Sequence, residues 1–221
     1  MRAIARRLKD ADWTSHFLKR TCAIRSTFVE DTAVVTERGA ILMRPGAESR
    51  AGEVEAIRPE LAQFFPEMPA IEAPGTVDGG DICDAGEHFF LGLSHRTNEE
   101  GARQLAGHLT AFGYTSSTID VRAMTSILHL KSGIAYIGKN TLVVMEEMAA
   151  NPQFTSYELI RVSEGESYGA NCVQVNEWVL VAAGFPRLTA ALRERGFEPL
   201  VLDMSEYRKM DGGLSCLSLR F

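Results

Sequence analysis

Cys216 ends the run Asp211-Gly-Gly-Leu-Ser-Cys216, five residues from the C-terminus. A thiol behind a glycine turn, at the mouth of a short apolar strand, is held rigidly enough to act as a nucleophile. It needs a base and carboxylates that converge on it. The chain offers them far apart: Glu30-Asp31, Asp78-Gly-Gly-Asp81, His129 within Ile127-Leu-His-Leu-Lys131, and Asp211. Brought together, they would join a thiolate nucleophile to an imidazole base and several acids. Singly, each has a plainer reading. A histidine in an apolar run is usually a half-buried hydrogen-bonding residue. Asp-Gly-Gly is turn sequence, because glycine accepts positive φ and aspartate bonds nearby amides. Glu30-Asp31 at a strand start suits a solvated sheet edge.

The elements that carry these residues repeat. Residues 28–35 and 40–43 read as a strand pair, 53–65 as a helix and 70–72 as a strand. The second unit has strands 81–83 and 88–93, a helix 98–112 and a strand 118–121. Thr97 with Glu100 forms a capping box for that helix, and Gly113 stops it. The third has strands 127–130, 134–137 and 141–144, a short helical piece near 146–150 and a strand 157–162. The fourth has strands 172–175 and 178–182, a helix 187–195 stopped by Gly196, and a strand 200–202. A helical turn 205–209 leads to a last strand around Cys216. Units open near residues 28, 78, 127, 172 and 216, every 44–50 residues, as in a radial or stacked repeat fold. Only the last strand of a fifth unit is present at the C-terminus, and residues 13–20 are expected to supply its helix and close a ring. Openings in a ring face one axis. Glu30, Asp31, Asp78, Asp81, His129, Asn171-Cys172, Asp211 and Cys216 then share one phase, and this outweighs the plainer readings.

Composition sets outer limits. The 221 residues, 45% hydrophobic and 24% charged, suit one domain over 1–221. A net charge of −6 without a basic block argues against a nucleic-acid surface. No apolar stretch approaches the roughly 20 residues of a membrane span. The basic N-terminus lacks the long apolar segment of a secretory signal, so a cytoplasmic setting with free thiols is expected. Cys22, Cys83 and Cys172 then read as small buried hydrophobes. No Cys-x-x-Cys pair suggests zinc, and Cys83, His88 and His95 match no usual metal spacing. Gly92-Leu-Ser-His-Arg96 lacks the last glycine of a serine elbow, and no dinucleotide or Walker glycine loop is present. A symmetric homodimer is an expectation from general frequency alone.

Seven motifs occur in order: Phe28-Val-Glu-Asp-Thr-Ala-Val-Val35, Arg44-Pro-Gly-Ala-Glu-Ser-Arg50, Asp78-Gly-Gly-Asp-Ile82, Gly92-Leu-Ser-His-Arg-Thr-Asn98, His129-Leu-Lys-Ser132, Asn171-Cys172 and Asp211-Gly-Gly-Leu-Ser-Cys216. Over residues 26–221 they resemble the dimethylarginine dimethylaminohydrolases of the guanidine-modifying (pentein) superfamily. The resemblance implies an α/β fold, a five-bladed propeller of strand–strand–helix–strand units with the fifth incomplete. It implies hydrolysis of Nω-methylated arginine, a small-molecule substrate, to citrulline and a methylamine, with no metal or organic cofactor. It also implies roles: Cys216 nucleophile, His129 general acid/base, Asp78 its carboxylate partner, Glu30 and Asp31 facing the guanidinium. Arg50 and Arg96 would hold the substrate carboxylate, while the carbonyl of Met210 and the side chain of Asp211 line the pocket. Two alternatives stand beside it: another guanidine hydrolase, acting on free arginine, and a non-catalytic binding protein on the same propeller. The family pattern fails at the N-terminus. Residues 1–25 hold no convincing first strand or lid and are expected to be a divergent or shortened segment. Arg25 stands where the resemblance calls for an aspartate.

Overall fold

The computed structural model describes residues 28–220. The expectations placed on Cys22, Arg25, the helix 13–20 and the lid therefore lie outside the described residues. Within them, one pattern occurs four times. A short inner strand pairs antiparallel with a second strand, and a crossover brings a third in parallel. The first unit has β1 (Ala33–Thr36) and β2 (Gly39–Leu42), helix α1 (Ala51–Leu61), and a parallel bridge from Leu42 to Ala70. The second has β3 (Ile82–Asp84), β4 (His88–Leu93), α2 (Glu99–Ala111) and β5 (Thr115–Asp120). The third has β6 (Ile134–Tyr136), β7 (Thr141–Met145) and β8 (Glu158–Val162), joined by short 3-10 turns. The fourth has β9 (Val173–Val175), β10 (Trp178–Ala182), α3 (Pro186–Glu194) and β11 (Glu198–Leu202). Gly113 and Gly196, both at positive φ, follow α2 and α3 at the expected stops.

The core lies between units as much as within them. Cys83, Phe90 and Ile119 of the second unit pack with Leu142, Val144 and Phe154 of the third. Phe90 meets Phe154 edge-on, with centroids 5.3 Å apart. Ala135 and Val143 of the third pack likewise with Val173, Val179 and Leu188 of the fourth. A single unit would leave half of these apolar groups in water, so each needs its neighbour. The described chain is thus a mixed α/β fold of repeated sheets.

The strands expected at 81–83 and 172–175 lie within one residue of β3 and β9, but those expected at 127–130, around Cys216 and over the start of 28–35 do not form. The chain enters each unit through a 3-10 turn: Val29–Thr32, Gly79–Asp81, Leu130–Ser132, Glu164–Ala170 and Ser215–Leu217. Cys216 therefore sits in a tight turn, not a strand, and His129 precedes one. The physical reason is where the backbone amides go. Gly80 N donates to Asp31 Oδ1 at 2.8 Å, Leu130 N to Asp81 Oδ1 at 3.0 Å, and Ser215 N to Asn171 Oδ1 at 3.0 Å. Amides bonded to a side chain of another unit cannot extend a strand ladder. The start of α2 moves for a similar reason. The Thr97 hydroxyl donates to Asp81 Oδ2 at 2.6 Å and accepts from Asp78 N at 3.1 Å. Asn98 caps instead, accepting from Gly101 N at 2.8 Å.

Candidate active site

The opening turns bury four acids: Glu30, Asp31, Asp78 and Asp81 are 4%, 5%, 2% and 0% exposed. Unpaired carboxylates at such depth would be prohibitive, so each must be answered by donors or cations. Asp81 accepts from Ser94 Oγ and Thr97 Oγ1, both at 2.6 Å, and from Leu130 N. Asp78 Oδ1 accepts from Gly46 N at 2.7 Å, and its Oδ2 faces His129 Nε2 at 3.2 Å. Asp31 accepts from Gly80 N and pairs with the Arg50 guanidinium. Glu30 pairs with Lys131 and accepts from Ser215 Oγ at 2.8 Å.

These surroundings set the proton affinities. Burial, the largest influence on His129, disfavours its imidazolium. The bond to Asp78 and the charges of Asp81, Asp31 and Asp78 outweigh it, so the pKa lies above the ordinary 6.5. Burial also works against the Asp78 carboxylate, but the His129 bond, the Gly46 amide and nearby positive charge hold its pKa below 3.8. Asp31 is raised, mainly by burial. The Cys216 thiol is pushed up to about 11, first by burial and then by the charge of Glu30. The Gly213 amide, 3.4 Å from Sγ, and Lys131 act in the opposite direction. Burial and the Glu30 charge thus favour the thiol over the thiolate.

Cys216, His129, Glu30, Asp211, Lys131 and Tyr168 border one cavity of about 60 Å³. Ligand atoms of Asp31, Asp78 and His129 lie within 4.8 Å of one another. Two carboxylates and an imidazole could coordinate a cation, but Arg50 already supplies positive charge to Asp31, and Asp78 is bonded to the imidazole. The donor set fits a proton relay better. With Asp78 on Nε2, the second ring nitrogen, Nδ1, is left for proton transfer. It lies on the side of Gly80, where a Cβ would come within 2.9 Å of Nδ1 and Cγ. A cysteine, an oriented imidazole and fixed acids are the groups needed to attack a planar cation.

The other expected residues are distributed unevenly. Arg50 reaches the cluster through Asp31, and its Nη2 donates to Glu53 and to the Phe28 carbonyl, each at 2.6 Å. Arg96 does not border the cavity, and among the described residues its guanidinium makes no hydrogen bond or ion pair. Met210 does not border it either and is 57% exposed. Asp211 borders it from a left-handed backbone, φ 55°. Sequence reasoning missed Lys131, Ser215 and the use made of Asn171. Its available signal was a lone cation two residues after His129, beside an otherwise acidic set. Glu30, Lys131, Asn171 and Ser215 also border a second cavity, of about 340 Å³, along the inner strands.

The arginine deiminase family model matches residues 25–167. A dimethylarginine dimethylaminohydrolase of Pseudomonas aeruginosa is 47% identical over 197 residues, covering 89% of this chain and 76% of that protein. A solved structure of the P. aeruginosa enzyme, a cysteine-to-serine mutant complexed with citrulline, matches with a TM-score of 0.84 at 46% identity, over 88% of this chain and 75% of that one. A dimethylarginine dimethylaminohydrolase carrying an S-methyl-L-thiocitrulline adduct matches with a TM-score of 0.92 at 43% identity, over 100% and 86%.

Proposed function

Because the chain belongs to the dimethylarginine dimethylaminohydrolase family, we propose that Cys216 attacks the guanidinium carbon of an Nω-methylated arginine. The protein is a hydrolase of the guanidino C–N bond, and its products are citrulline and a methylamine. The observation that carries the assignment to these residues is one cavity holding Cys216 and His129, with His129 bonded to the buried Asp78.

Glu30 and Asp31 attract the substrate cation. Its charge offsets the carboxylates that hold the thiol protonated, so binding favours the thiolate. The thiol proton passes to His129, or to solvent when the imidazole is already charged. The thiolate adds to the central carbon and forms a C–S bond. His129 gives its proton to the methylated nitrogen, the C–N bond breaks, and a thiouronium remains on Cys216. Neutral His129 then takes a proton from water as its oxygen adds to the same carbon. The C–S bond breaks, citrulline leaves, and the thiolate and imidazolium return. The hydroxyl proton of the collapsing adduct passes to solvent, where the amine released in the first half-reaction takes one up. Asp78 keeps Nε2–H oriented throughout, and a shuttle of this kind contributes roughly 10²–10⁴ in rate.

Arg50 and Arg96 are the cations proposed for the substrate carboxylate, with the Met210 carbonyl and Asp211 at the pocket wall. The fold is read as a single domain over 1–221, a five-bladed α/β propeller whose fifth blade is incomplete. In support, the turns Val29–Thr32, Gly79–Asp81, Leu130–Ser132 and Glu164–Ala170 touch in succession. Asn171 bonds to Ser215, and Val29–Thr32 touches Ser215–Leu217. No described helix is long and apolar enough to cross a membrane. Cys83, Cys172 and Cys216 are free thiols, which agrees with a reducing cytoplasm; a symmetric homodimer is the proposed assembly. Treating folded protein with a haloacetamidine tests the site: an adduct at Cys216 supports the reading, and a protein left unlabelled contradicts it. Release of ammonia from free arginine in preference to methylamine would reassign the substrate.

A further inference from the structure

Asn171 is buried and uses its whole side-chain amide on two other units of the fold. Its Oδ1 accepts from Ser215 N at 3.0 Å. Its Nδ2 donates to Ser215 Oγ at 3.1 Å and to the Lys131 carbonyl at 2.9 Å. Ser215 immediately precedes Cys216, and Lys131 follows His129 by two residues. One amide therefore ties the backbone beside the sulfur to the backbone beside the imidazole. Gly213 leaves room for it, since a Cβ there would run into the Asn171 amide group.

The comparison within the ring is informative. Asp31 and Asp81 make the equivalent bond to the next turn, to Gly80 N and Leu130 N. Both are carboxylates. At the turn that carries the cysteine the acceptor is an amide. An amide has two N–H donors that a carboxylate lacks, and here both are used. It also adds no negative charge beside a sulfur that already faces Glu30 and Asp31.

We propose that Asn171 is the positioning residue of the nucleophile: it fixes the Ser215–Leu217 turn against the backbone after His129 and so sets the approach of Cys216 to the imidazole. The inference rests on Cys216 acting as the nucleophile. Asn171→Asp and Asn171→Ala, in the full chain, test it with two readouts: turnover of dimethylarginine, and the rate of Cys216 alkylation by iodoacetamide across pH. Misplacing a reacting group by about 1 Å can cost roughly 10²-fold. Both variants are expected to lose about 10- to 100-fold in kcat, with KM within about threefold, as for a group that acts on the reacting geometry. Asn171→Asp is also expected to move Cys216 alkylation to higher pH, whereas Asn171→Ala is not. Should either variant fail to fold, Asn171→Ser, which is too short to reach both Ser215 N and the Lys131 carbonyl and leaves the Ser215–Glu30 bond in place, is expected to lower kcat by about threefold or more. A folded variant with reduced thermal stability but unchanged kcat and an unchanged alkylation profile overturns the proposal. If the unaltered protein releases citrulline from no guanidine, the proposed function fails and this proposal with it, an outcome distinct from an active protein whose Asn171 variants keep full kcat.

Discussion

Replacing Asp78 by asparagine changes one charge and almost no volume, and its consequences can be worked from the bonds. Asp78 Oδ1 accepts from Gly46 N, a backbone donor that cannot be reversed. The amide oxygen of the variant must stay there, which turns its NH2 towards His129 Nε2, 3.2 Å away. Two N–H groups cannot face each other, so neutral His129 must present a lone pair at Nε2 and carry its proton on Nδ1. That nitrogen is then unable to take a proton from water. A hydrogen bond to a charged group contributes about 1.5–3 kcal/mol, worth roughly 10- to 100-fold in rate. Loss of the proton shuttle itself is worth about 10²–10⁴. A fall in kcat of about 10²–10⁴ is expected, with KM little altered. The pH dependence should change as well. In the unaltered protein the Asp78 bond and charge help raise the His129 pKa above 6.5 against burial. Without them burial weighs more heavily, and the imidazolium should be lost at lower pH. Citrulline release from pH 5 to 9 (about two decades either side of neutral), with NMR titration of the His129 ring, measures both effects. A variant within about threefold of the parent, with an unmoved titration, would refute the assignment of Asp78.

Other outcomes follow from the same geometry. Cys216→Ser should abolish citrulline release, because a serine hydroxyl is a far weaker nucleophile at this pH; full release would show that another group attacks. Gly80→Ala would push the imidazole aside, since its Cβ would lie 2.9 Å from the ring, and kcat should fall by about 10²-fold in a folded protein. Thr97→Val removes one of three donors from the buried Asp81 carboxylate and the acceptor of the Asp78 amide, and should cost about 1–3 kcal/mol in urea unfolding. The His129–Asp78 pair should stabilise the fold most between about pH 4 and 6.5. The raised His129 pKa means its share is full below 6.5 and is lost as pH rises through the folded value. The lowered Asp78 pKa means its share is full above 3.8 and is lost as pH falls through the folded value. The stability difference from Asp78→Asn across pH measures this, and a flat difference would contradict it.

What could be read from the chain was whatever local periodicity determines. β10 falls on the expected residues 178–182, and α2 lies within one residue of its expected span, because alternation and helical spacing reflect burial directly. The openings could not be read that way. Leu130 and Ser215 look like strand residues locally, but their turns depend on acceptors 49 and 44 residues away. Thr97 looks like a cap until Asp81 takes its hydroxyl. The common phase of the candidate site residues was legible because the repeat is regular. Lys131 was not, because a lysine next to a histidine ordinarily reads as a solvated side chain. Its pairing with Glu30 depends on the fold bringing the first and third units together.

The most direct test is acid quenching of the protein during turnover of dimethylarginine, followed by peptide mapping. The thiouronium should appear on the peptide that carries Cys216, as the mass of the substrate less dimethylamine, and should be absent from Cys216→Ser. Citrulline formed with no adduct at Cys216, or with the adduct on Cys83 or Cys172, would contradict the account.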